Sequence, residues 1–309
     1  MKLPIRIELP EGFLGEEVRC GYTVSEKQKK VWAIELDLLA EFDRVCKKHS
    51  IRYQIFAGTL LGAVRHSGFI PWDDDIDVCL LREDYDRLIK NRDEFRHPYF
   101  LQTPDNDKRF FSVHTRLRNS ETTGIIKGQA DESYNNGIFM DVFVMDVYVS
   151  SGICRSIQKF FLKILTGLLT SRYMRLGSIT GLATRILRVV AKVVSSIVPF
   201  RLLLRLRDGV CMMNKFKCGE KRVSLVSNNN SFTEKYWLYS DEMLDSMEFP
   251  FENISVWGPR FYNSILGRIY GDYMQFPPMA DRGKWHLGKI VFDPEVPYVR
   301  YIREHKEGL

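Results

Sequence analysis

The sequence lacks the features that mark secreted, membrane-spanning or zinc-binding proteins. Its six cysteines are scattered, with no CxxC pair and no Cys/His spacing typical of metal sites, so we expect reduced thiols in a cytosolic compartment. No uncharged apolar run approaches the roughly 20 residues that span a bilayer. The first residues contain prolines and acids and predict no signal peptide. There is no internal repeat and no low-complexity stretch.

Acidic residues are scarce in one segment of the chain. The 309 residues carry a net charge of +6, and 45% of them are apolar, which suits one large globular domain or two modest ones. Between Ile153 and Val210 there are eleven Lys and Arg residues and a single acid, Asp208, so this segment is +10 and the remainder is −4. The pattern predicts an acidic body joined to a basic insert.

The basic segment has the spacing of amphipathic helices. Lys159 and Lys163 are four residues apart, and Pro199 and the glycines at 167, 177 and 181 predict a division into about three helices. The residues between the basic ones are aliphatic, whereas nucleic-acid binders usually interleave polar and aromatic residues. We therefore expect a peripheral contact with an anionic membrane surface and no nucleic acid. Core helices with a basic rim are the alternative.

The strongest chemical pattern is FAGTLLGAVRHSGFIPWDDDIDVCLL, residues 56–81. Asp73, Asp74, Asp75 and Asp77 repel one another unless a cation or a cationic partner neutralises them. The alternation in residues 75–78 predicts a strand with the carboxylates of Asp75 and Asp77 on one face. Two hard oxygen ligands suit Mg²⁺, with Mn²⁺ as a second possibility. An ordinary acidic surface turn is the alternative.

A glycine turn precedes these acids. A first core strand is expected at residues 51–56, followed by a turn at Gly58 and Thr59 and a helix from Leu60. Glycine lets a backbone approach a phosphate closely, and Thr59 offers a hydroxyl and an N–H group. A glycine turn after one strand, with paired carboxylates on the next, is the arrangement of a nucleotidyltransferase active site.

Further candidates lie outside the acidic stretch. A strand over residues 112–118 would place Arg116 and Arg118 on one face, aimed at a phosphate. Asp141 is a single carboxylate in an apolar strand, where it needs a partner or a metal ion. Arg65 and His66 lie between the glycine and the acids and are candidates for phosphate binding, with surface exposure as the alternative.

The motif GTLLGAVRHSGFIPWDDDID resembles the LicD family, which shares a nucleotidyltransferase-like core with the fukutin proteins. The similarity is extensive over residues 28–87, and shorter matching stretches lie at residues 115–146 and 270–286. It implies an α/β (α+β) fold in which a small mixed sheet is surrounded by helices and carries a basic helical insert. We expect a catalytic core at residues 1–152, the insert at 153–210 and a completing segment at 211–309.

The resemblance also implies site residues. The matching stretch around Asp141 implies that this residue is the third catalytic acid and metal ligand, beside Asp75 and Asp77. Arg282 and His286 lie where family members have a basic, histidine-bearing motif, although the residues between them depart from that motif. A choline group would need aromatic faces, and the sequence offers Trp72, Tyr134, Phe139, Tyr270, Tyr273 and Trp285.

The expected function is that of a LicD-type phosphotransferase. The resemblance implies transfer of phosphocholine from CDP-choline to a sugar hydroxyl of a bacterial surface glycan such as lipopolysaccharide, capsule or teichoic acid, with release of CMP. A glycan or lipid-linked glycan acceptor would place the protein on the inner face of the cytoplasmic membrane. The alternatives are a nucleotidyltransferase that uses an NTP and releases pyrophosphate, and a non-catalytic membrane adaptor. Asp75, Asp77 and Asp141 argue against the adaptor.

Overall fold

The computed structural model describes residues 3–127, 130–131, 133–173, 182–214, 221–283 and 289–305. These residues form the α+β fold that the sequence predicts. They group into two compact units: the first contains Met1–Gln102, His114–Val144 and Asp241–Leu309, and the second contains Thr103–Val113 and Met145–Ser240. The basic segment lies in the second unit. The domain boundaries expected at residues 152 and 210 stay predictions.

The helices and strands are numbered in chain order. Those up to the end of the central sheet are β1 (Glu17–Arg19), β2 (Tyr22–Val24), α1 (Glu26–Lys48), β3 (Gln54–Ile55), α2 (Ala57–His66), β4 (Asp77–Leu81), α3 (Arg82–Lys90), β5 (Tyr99–Gln102), β6 (Thr115–Asn119), β7 (Thr123–Ile126) and β8 (Ile138–Val147). Those that follow are α4 (Ile153–Tyr173), α5 (Leu182–Ile197), α6 (Phe200–Cys211), β9 (Arg222–Ser224), α7 (Ser231–Lys235), β10 (Leu238–Tyr239), α8 (Ser240–Leu244), β11 (Ser246–Phe251), β12 (Ile254–Pro259), α9 (Tyr262–Tyr270), β13 (Ile290–Asp293) and α10 (Tyr298–Glu304).

The central sheet of the first unit has the strand order β3-β4-β8-β6-β5. Strand β6 is antiparallel to both β5 and β8, and its register places Arg116 opposite Asp141 and Arg118 opposite Phe139. Strand β3 is antiparallel to β4. Three antiparallel pairs, β1 with β2, β11 with β12 and β7 with β13, complete this unit. The register therefore brings one predicted arginine and one predicted acid side by side.

Helix α1 follows from a serine cap and from apolar residues at helical spacing. The Ser25 side chain caps it by accepting a hydrogen bond from the backbone N–H of Gln28 at 3.3 Å. The residues that recur at intervals of three and four along its apolar stripe are all buried: Val31, Ile34, Leu38, Phe42 and Val45. Burial of each such side chain stabilises the fold by roughly 1.5–3 kcal/mol, so the stripe fixes the face that α1 turns to the core.

Three sequence predictions about the strands and the glycine turn need correction. The first core strand is only Gln54–Ile55, and the helix expected from Leu60 begins at Ala57. Gly58 therefore lies in the first helical turn, where a β-carbon would meet the Asp73 carboxylate at 2.9 Å, so glycine serves close packing there. Strand β4 begins at Asp77, so Asp75 precedes the strand, in residues 73–76 that have no regular secondary structure.

The described residues of the basic segment, 153–173 and 182–210, contain three helices, as predicted. Leu165, Leu169 and Leu203 form one buried cluster between α4 and α6. Pro199 caps the start of α6, but Gly167 lies inside α4 and does not break it. A helical glycine costs about 1 kcal/mol, which the leucine contacts on either side offset. The other two predicted glycine breaks lie outside the described residues. No described helix is long and apolar enough to span a membrane.

Candidate active site

Helix α1 holds the acidic loop, residues 72–77, in place. The side-chain amide of Gln28 donates to the carbonyl oxygens of Pro71 at 3.0 Å and Asp73 at 3.1 Å. The indole N–H of Trp32 donates to the same Asp73 carbonyl at 3.1 Å, and its ring stacks on Phe69 at 4.6 Å. These donors fix the backbone of a segment whose carboxylates repel one another. The loop is therefore positioned by the helix and not by its own contacts alone.

The start of α2 lies against the same loop. The Thr59 hydroxyl accepts a hydrogen bond from the backbone N–H of Asp77 at 2.8 Å, and the Phe56 N–H donates to the Asp77 carbonyl at 2.9 Å. Helix α2 has no side-chain cap at its N-terminus, where the helix dipole favours negative charge. The neighbour of Gly58 is the Asp73 carboxylate. Phosphate binding by Gly58 and Thr59 stays a prediction.

Asp75 and Asp141 both lie near Asp77, the first residue of β4, and β8, which carries Asp141, is the neighbouring strand. The backbone N–H of Asp141 donates at 2.9 Å to the carbonyl of Ile76, the residue between Asp75 and Asp77. Burial raises the pKa of Asp77 well above its ordinary value, and the negative charges of Asp75, Asp141 and Asp73 raise it further. The fold therefore concentrates negative charge at the position that the sequence identified.

Arg116 and Arg118 share one face of β6, as predicted, but have different surroundings. Arg116 Nε donates to Asp141 Oδ1 at 2.9 Å. Arg118 is 1% exposed, and its guanidinium donates to the Gln102 side chain at 2.5 Å and to the Gly137 carbonyl at 2.6 Å. Both guanidinium groups lie over the Phe139 ring, at 4.2 and 4.6 Å. Arg116 contacts a catalytic candidate, whereas the hydrogen bonds of Arg118 to Gln102 and Gly137 hold the sheet together.

Arg65, His66 and Arg282 also come together, in an arginine–aromatic cluster with Trp72 and Phe276. The Arg282 guanidinium lies 4.6 Å from the Trp72 ring and 5.5 Å from the Phe276 ring, and the Arg65 guanidinium lies 5.0 Å from Phe276. His66 stacks on Phe276 at 5.5 Å. Arginines thus cover Trp72, as they cover Phe139, so a choline group would compete with them for these two rings.

His66 is held in its neutral form within this cluster. Arg65 Nε donates to His66 Nε2 at 3.0 Å, which requires an unprotonated nitrogen. Burial, followed by the positive charges of Arg65, Arg19 and Arg282, lowers the pKa of His66 to about 4. Arg282 itself donates to the carbonyls of Cys20 and Pro277, at 2.7 and 3.1 Å. The predicted site residue His286 lies outside the described residues, and so does Trp285.

The residues present fit a divalent cation by charge and donor type. Asp75 and Asp77 offer oxygen ligands, and a cation would remove the repulsion that raises the pKa of Asp77. Arg116 already holds one oxygen of Asp141. Within the described part of the chain, no three His, Cys, Asp or Glu side chains converge in an arrangement that could hold a metal ion. Mg²⁺ or Mn²⁺ binding stays a prediction.

The residues of α1 that support the loop are not among the site residues predicted from the sequence. The backbone N–H of Gln28 donates to the Ser25 cap, whereas its side chain binds the loop. Trp32 follows four residues later on the same side of the helix. The signal was available in the sequence: Gln28 and Trp32 carry hydrogen-bond donors and are four residues apart, on one side of the helix. Phe276 was also missed, because nothing in its local sequence links it to Trp72.

Comparisons with known proteins agree with the motif. Residues 50–154 match the family model described as LicD/FKTN/FKRP, nucleotidyltransferase domain. The chain is 25% identical over 267 residues, 82% of its length and 93% of the relative's, to the lipopolysaccharide cholinephosphotransferase LicD of Haemophilus influenzae. It is 45% identical over 64 residues to an uncharacterized protein of Rickettsia typhi, covering 20% of this chain and 19% of that protein. The predicted resemblance is therefore confirmed.

Proposed function

Because the chain carries a LicD-family nucleotidyltransferase domain at residues 50–154, we propose that it is a phosphotransferase acting on a bacterial cell-surface glycan. The donor is CDP-choline, the acceptor is a sugar hydroxyl, and CMP is the leaving group. The observation that carries the proposal is the similarity to a lipopolysaccharide cholinephosphotransferase across 82% of the chain. The proximity of Asp75 and Asp141 to Asp77 supports it from the structure.

The acids and Arg116 would bind the diphosphate of the donor. Asp75, Asp77 and Asp141 would hold Mg²⁺, which when bound supplies charge neutralisation for phosphoryl transfer. The guanidinium of Arg116 is fixed by Asp141 through Nε, so its terminal N–H groups would donate to a phosphate oxygen. Charged hydrogen bonds of this kind are strong where the site is largely buried, as both side chains are here.

Asp141 would also serve the acceptor. The sugar oxygen would form a bond to the phosphorus that bears choline, the bond from that phosphorus to CMP would break, and the hydroxyl proton would pass to the Asp141 oxygen that Arg116 does not hold. Most of the rate enhancement in such transfers comes from positioning and charge stabilisation. The hydrogen bonds from Gln28 and Trp32 to the acidic loop supply the rigidity that positioning needs.

The test is a donor panel. The purified chain is incubated with Mg²⁺ and CDP-choline, CDP-ribitol or CDP-glycerol, and CMP release is followed with and without glycan acceptor. We expect CMP from CDP-choline, increased by glycan. Release of pyrophosphate from CTP, with no CMP from any CDP-alcohol, would instead support a nucleotidyltransferase, which the description of the matched domain favours as the second candidate. Inactivity towards both donor classes would favour the adaptor.

A membrane surface is the proposed partner of the second unit. Helix α5 exposes a continuous set of large apolar side chains: Ile186, Leu187, Val189, Val190, Val193, Val194 and Ile197. Its polar side faces α4, because Arg188 donates to the Ser171 hydroxyl at 3.1 Å and the buried Ser195 offers its carbonyl to Arg172. A water-facing helix has the opposite orientation. The exposed face of α5 suits the boundary between lipid headgroups and acyl chains.

The charges of this unit favour an anionic membrane. Lys163 on α4 and Arg205 on α6 are exposed, near the exposed apolar residues of their own helices. Other basic residues of the segment are engaged within the unit: Arg155 and Arg207 are buried, Lys159 pairs with Glu234, and Arg201 pairs with Asp105 at 3.2 Å. The apolar face of α5 should therefore contribute more to the contact than the basic stripes that the sequence suggested. A lipid-linked glycan would then be the acceptor.

A further inference from the structure

The two arginines of the arginine–aromatic cluster, Arg65 and Arg282, have no acid partner. Arg65 donates through Nη1 to the carbonyls of Tyr273 and Gln275, at 3.0 and 3.3 Å, and through Nε to the neutral His66. Arg282 donates to two backbone carbonyls, and neither arginine pairs with a carboxylate among the described residues. Because an arginine stays protonated in a protein, two positive charges are left there without a counterion.

Several other arginines of the first unit are paired with acids. In each case a guanidinium nitrogen lies within 2.9 Å of a carboxylate oxygen: Arg19 with Glu252, Arg44 with Glu41, Arg116 with Asp141, Arg260 with Asp245 and Arg268 with Glu242. The cluster lies next to many acids as well, because its Trp72 is the first residue of the acidic loop. Arg65 and Arg282 nevertheless bind only neutral groups, which distinguishes them within their own unit.

The cluster holds these two positive charges close together. Both guanidinium groups lie against the Phe276 ring, that of Arg65 at 5.0 Å and that of Arg282 at 5.5 Å. Burial lowers the pKa of Arg65, and the positive charge of Arg282 acts in the same direction. Both arginines are partly exposed, and Phe276 is 44% exposed, so a ligand can reach the cluster. A bound anion would remove the repulsion between the two charges.

Phosphate is the anion that suits this cluster within the proposed reaction. Guanidinium groups bind phosphate oxygens through charge-assisted hydrogen bonds, which are stronger than those between neutral groups. The choline end of the donor is positively charged, so the same two arginines would repel it. The diphosphate of the donor is assigned above to the acids and to Arg116. The glycan acceptor is therefore the reactant that remains for this side of the acidic loop.

We propose that the arginine–aromatic cluster binds a phosphate group carried by the glycan acceptor, so that the acceptor is an anionic glycan. This inference rests on the proposed function, because it names the chemical class of the second substrate of that reaction. Trp72 connects the two subsites: its ring contacts the Arg282 guanidinium, and the chain continues from it into Asp73. A phosphate bound here would hold the attached sugar beside the acidic loop.

The first experiment measures binding of glucose 1-phosphate to the full chain by phosphorus nuclear magnetic resonance, without donor and without divalent cation. Under these conditions the carboxylates of the acidic loop repel a phosphate, so binding reports on the arginines. We expect the affinity to fall about 10- to 100-fold in Arg65→Gln and in Arg282→Gln, as a charged hydrogen bond is lost. Arg260→Gln removes the same charge from the same unit and should bind normally. Unphosphorylated glucose should not bind.

A second variant keeps the test decisive if loss of the carbonyl contacts of the arginines prevents folding. Phe276→Glu would place a carboxylate within reach of both guanidinium groups and supply the counterion that they lack. We expect at least about a tenfold loss of affinity for glucose 1-phosphate. Phe261→Glu is the matched control: it adds the same charge to the first unit, at a side chain that is 47% exposed, and should leave binding unchanged.

The kinetics then separate the two substrates. With Mg²⁺, CDP-choline and glucose 1-phosphate as acceptor, Arg65→Gln and Arg282→Gln should raise the KM of the acceptor at least about tenfold and leave that of CDP-choline unchanged. A rise in the KM of CDP-choline instead would assign the cluster to the donor and overturn the inference. Equal binding of glucose 1-phosphate by the wild type and all variants would also overturn it, while the proposed function would stand. If no CDP-alcohol yields CMP but these variants still lose glucose 1-phosphate, the proposed function fails and the phosphate site is supported.

Discussion

The acidic loop of the first unit and helix α5 of the second unit depart from the ordinary distribution of residues in opposite directions. The loop places carboxylates close together at a partly buried sheet edge, where burial and mutual repulsion raise the pKa of Asp77. Helix α5 turns valine, leucine and isoleucine outwards and its polar side inwards. Each arrangement is unfavourable for the chain alone. Each therefore indicates an external partner, a cation for the loop and an apolar surface for the helix.

The difference also shows where specificity resides. The loop is fixed by directed contacts: Gln28 and Trp32 donate hydrogen bonds to its Asp73 carbonyl, and its Asp77 N–H donates to the Thr59 hydroxyl. A site that stabilises a transition state needs such precision. The exposed face of α5 presents large apolar side chains from Ile186 to Ile197, and hydrophobic burial is non-directional. Substitutions in the loop should therefore act on turnover, and substitutions on α5 should act on the location of the protein.

The largest expected effect is on turnover, from Asp75→Asn and Asp77→Asn. Removal of a carboxylate ligand should cost several kcal/mol of transition-state stabilisation, so CMP release should fall at least about a thousandfold. The fold should persist, since repulsion with the neighbouring acids is relieved. Glu83→Gln, at an exposed position just after β4, is the control and should retain activity. Near-normal rates for either asparagine variant at saturating Mg²⁺ would remove these acids from the proposed site.

The membrane contact should be lost when charge is placed on the exposed face of α5. Val190 and Val193 are 53% and 55% exposed, so Val190→Asp with Val193→Asp should leave the fold intact. In flotation with anionic vesicles we expect at least about a tenfold loss of affinity, because apolar contact area is replaced by charge. Val18→Asp, in the exposed part of the first unit, is the control and should float normally. Unchanged flotation of the α5 variant would contradict the lipid contact.

A substitution at Arg116 should mainly lower catalysis, and a substitution at Arg118 should mainly lower stability. Arg116→Lys keeps the charge but loses the fork geometry, so kcat/KM should fall about 10- to 100-fold with little effect on unfolding. Arg118→Lys should instead lower the free energy of unfolding by about 1–3 kcal/mol, because the Gln102 and Gly137 acceptors are buried and would lose their donors. Urea denaturation and CMP release measure the two quantities. The opposite pattern would exchange the roles assigned to these arginines.

Gly58→Ala tests the close packing of α2 against the loop. The new β-carbon would meet the Asp73 carboxylate at 2.9 Å, so the loop should shift and turnover should fall by roughly tenfold. Gly267→Ala in α9 is the matched control, since nothing lies within 4 Å of its added β-carbon. Alanine there should stabilise the protein by up to about 1 kcal/mol. Full activity of Gly58→Ala would show that the loop tolerates displacement.

The smallest expected effect is the pH dependence that His66 contributes to stability. Its pKa is lowered from 6.5 to about 4 in the folded protein, so the unfolded chain binds the proton first as the pH falls. His66 should therefore make stability decrease on acidification from about pH 6.5 to 4. Since the side chain is only partly buried, we expect roughly 1 kcal/mol. The measurement is urea denaturation of the wild type and His66→Gln across this range, and identical pH profiles would contradict the prediction.

Local patterns in the sequence determined the helix from Ser25, the strand that carries Arg116 and Arg118, and the three helices of the basic segment. Each depends on interactions between residues a few positions apart, such as a cap or an apolar stripe of period 3.6. The resemblance of residues 56–77 to the LicD family could likewise be recognised from the sequence, because the motif is contiguous. The predicted site residues followed from that motif and from the two shorter matching stretches.

Only the tertiary structure decided which side chains meet. The pairing of Arg116 with Asp141 depends on the register of β6 with β8, and the contact of Arg282 with Trp72 joins residues that no local pattern connects. The orientation of α5 was also undetermined, since an amphipathic helix can turn either face to its neighbour until packing selects one. Gln28 and Trp32 show the same limit: their spacing places them on one helical stripe, but only folding brought that stripe against the acidic loop.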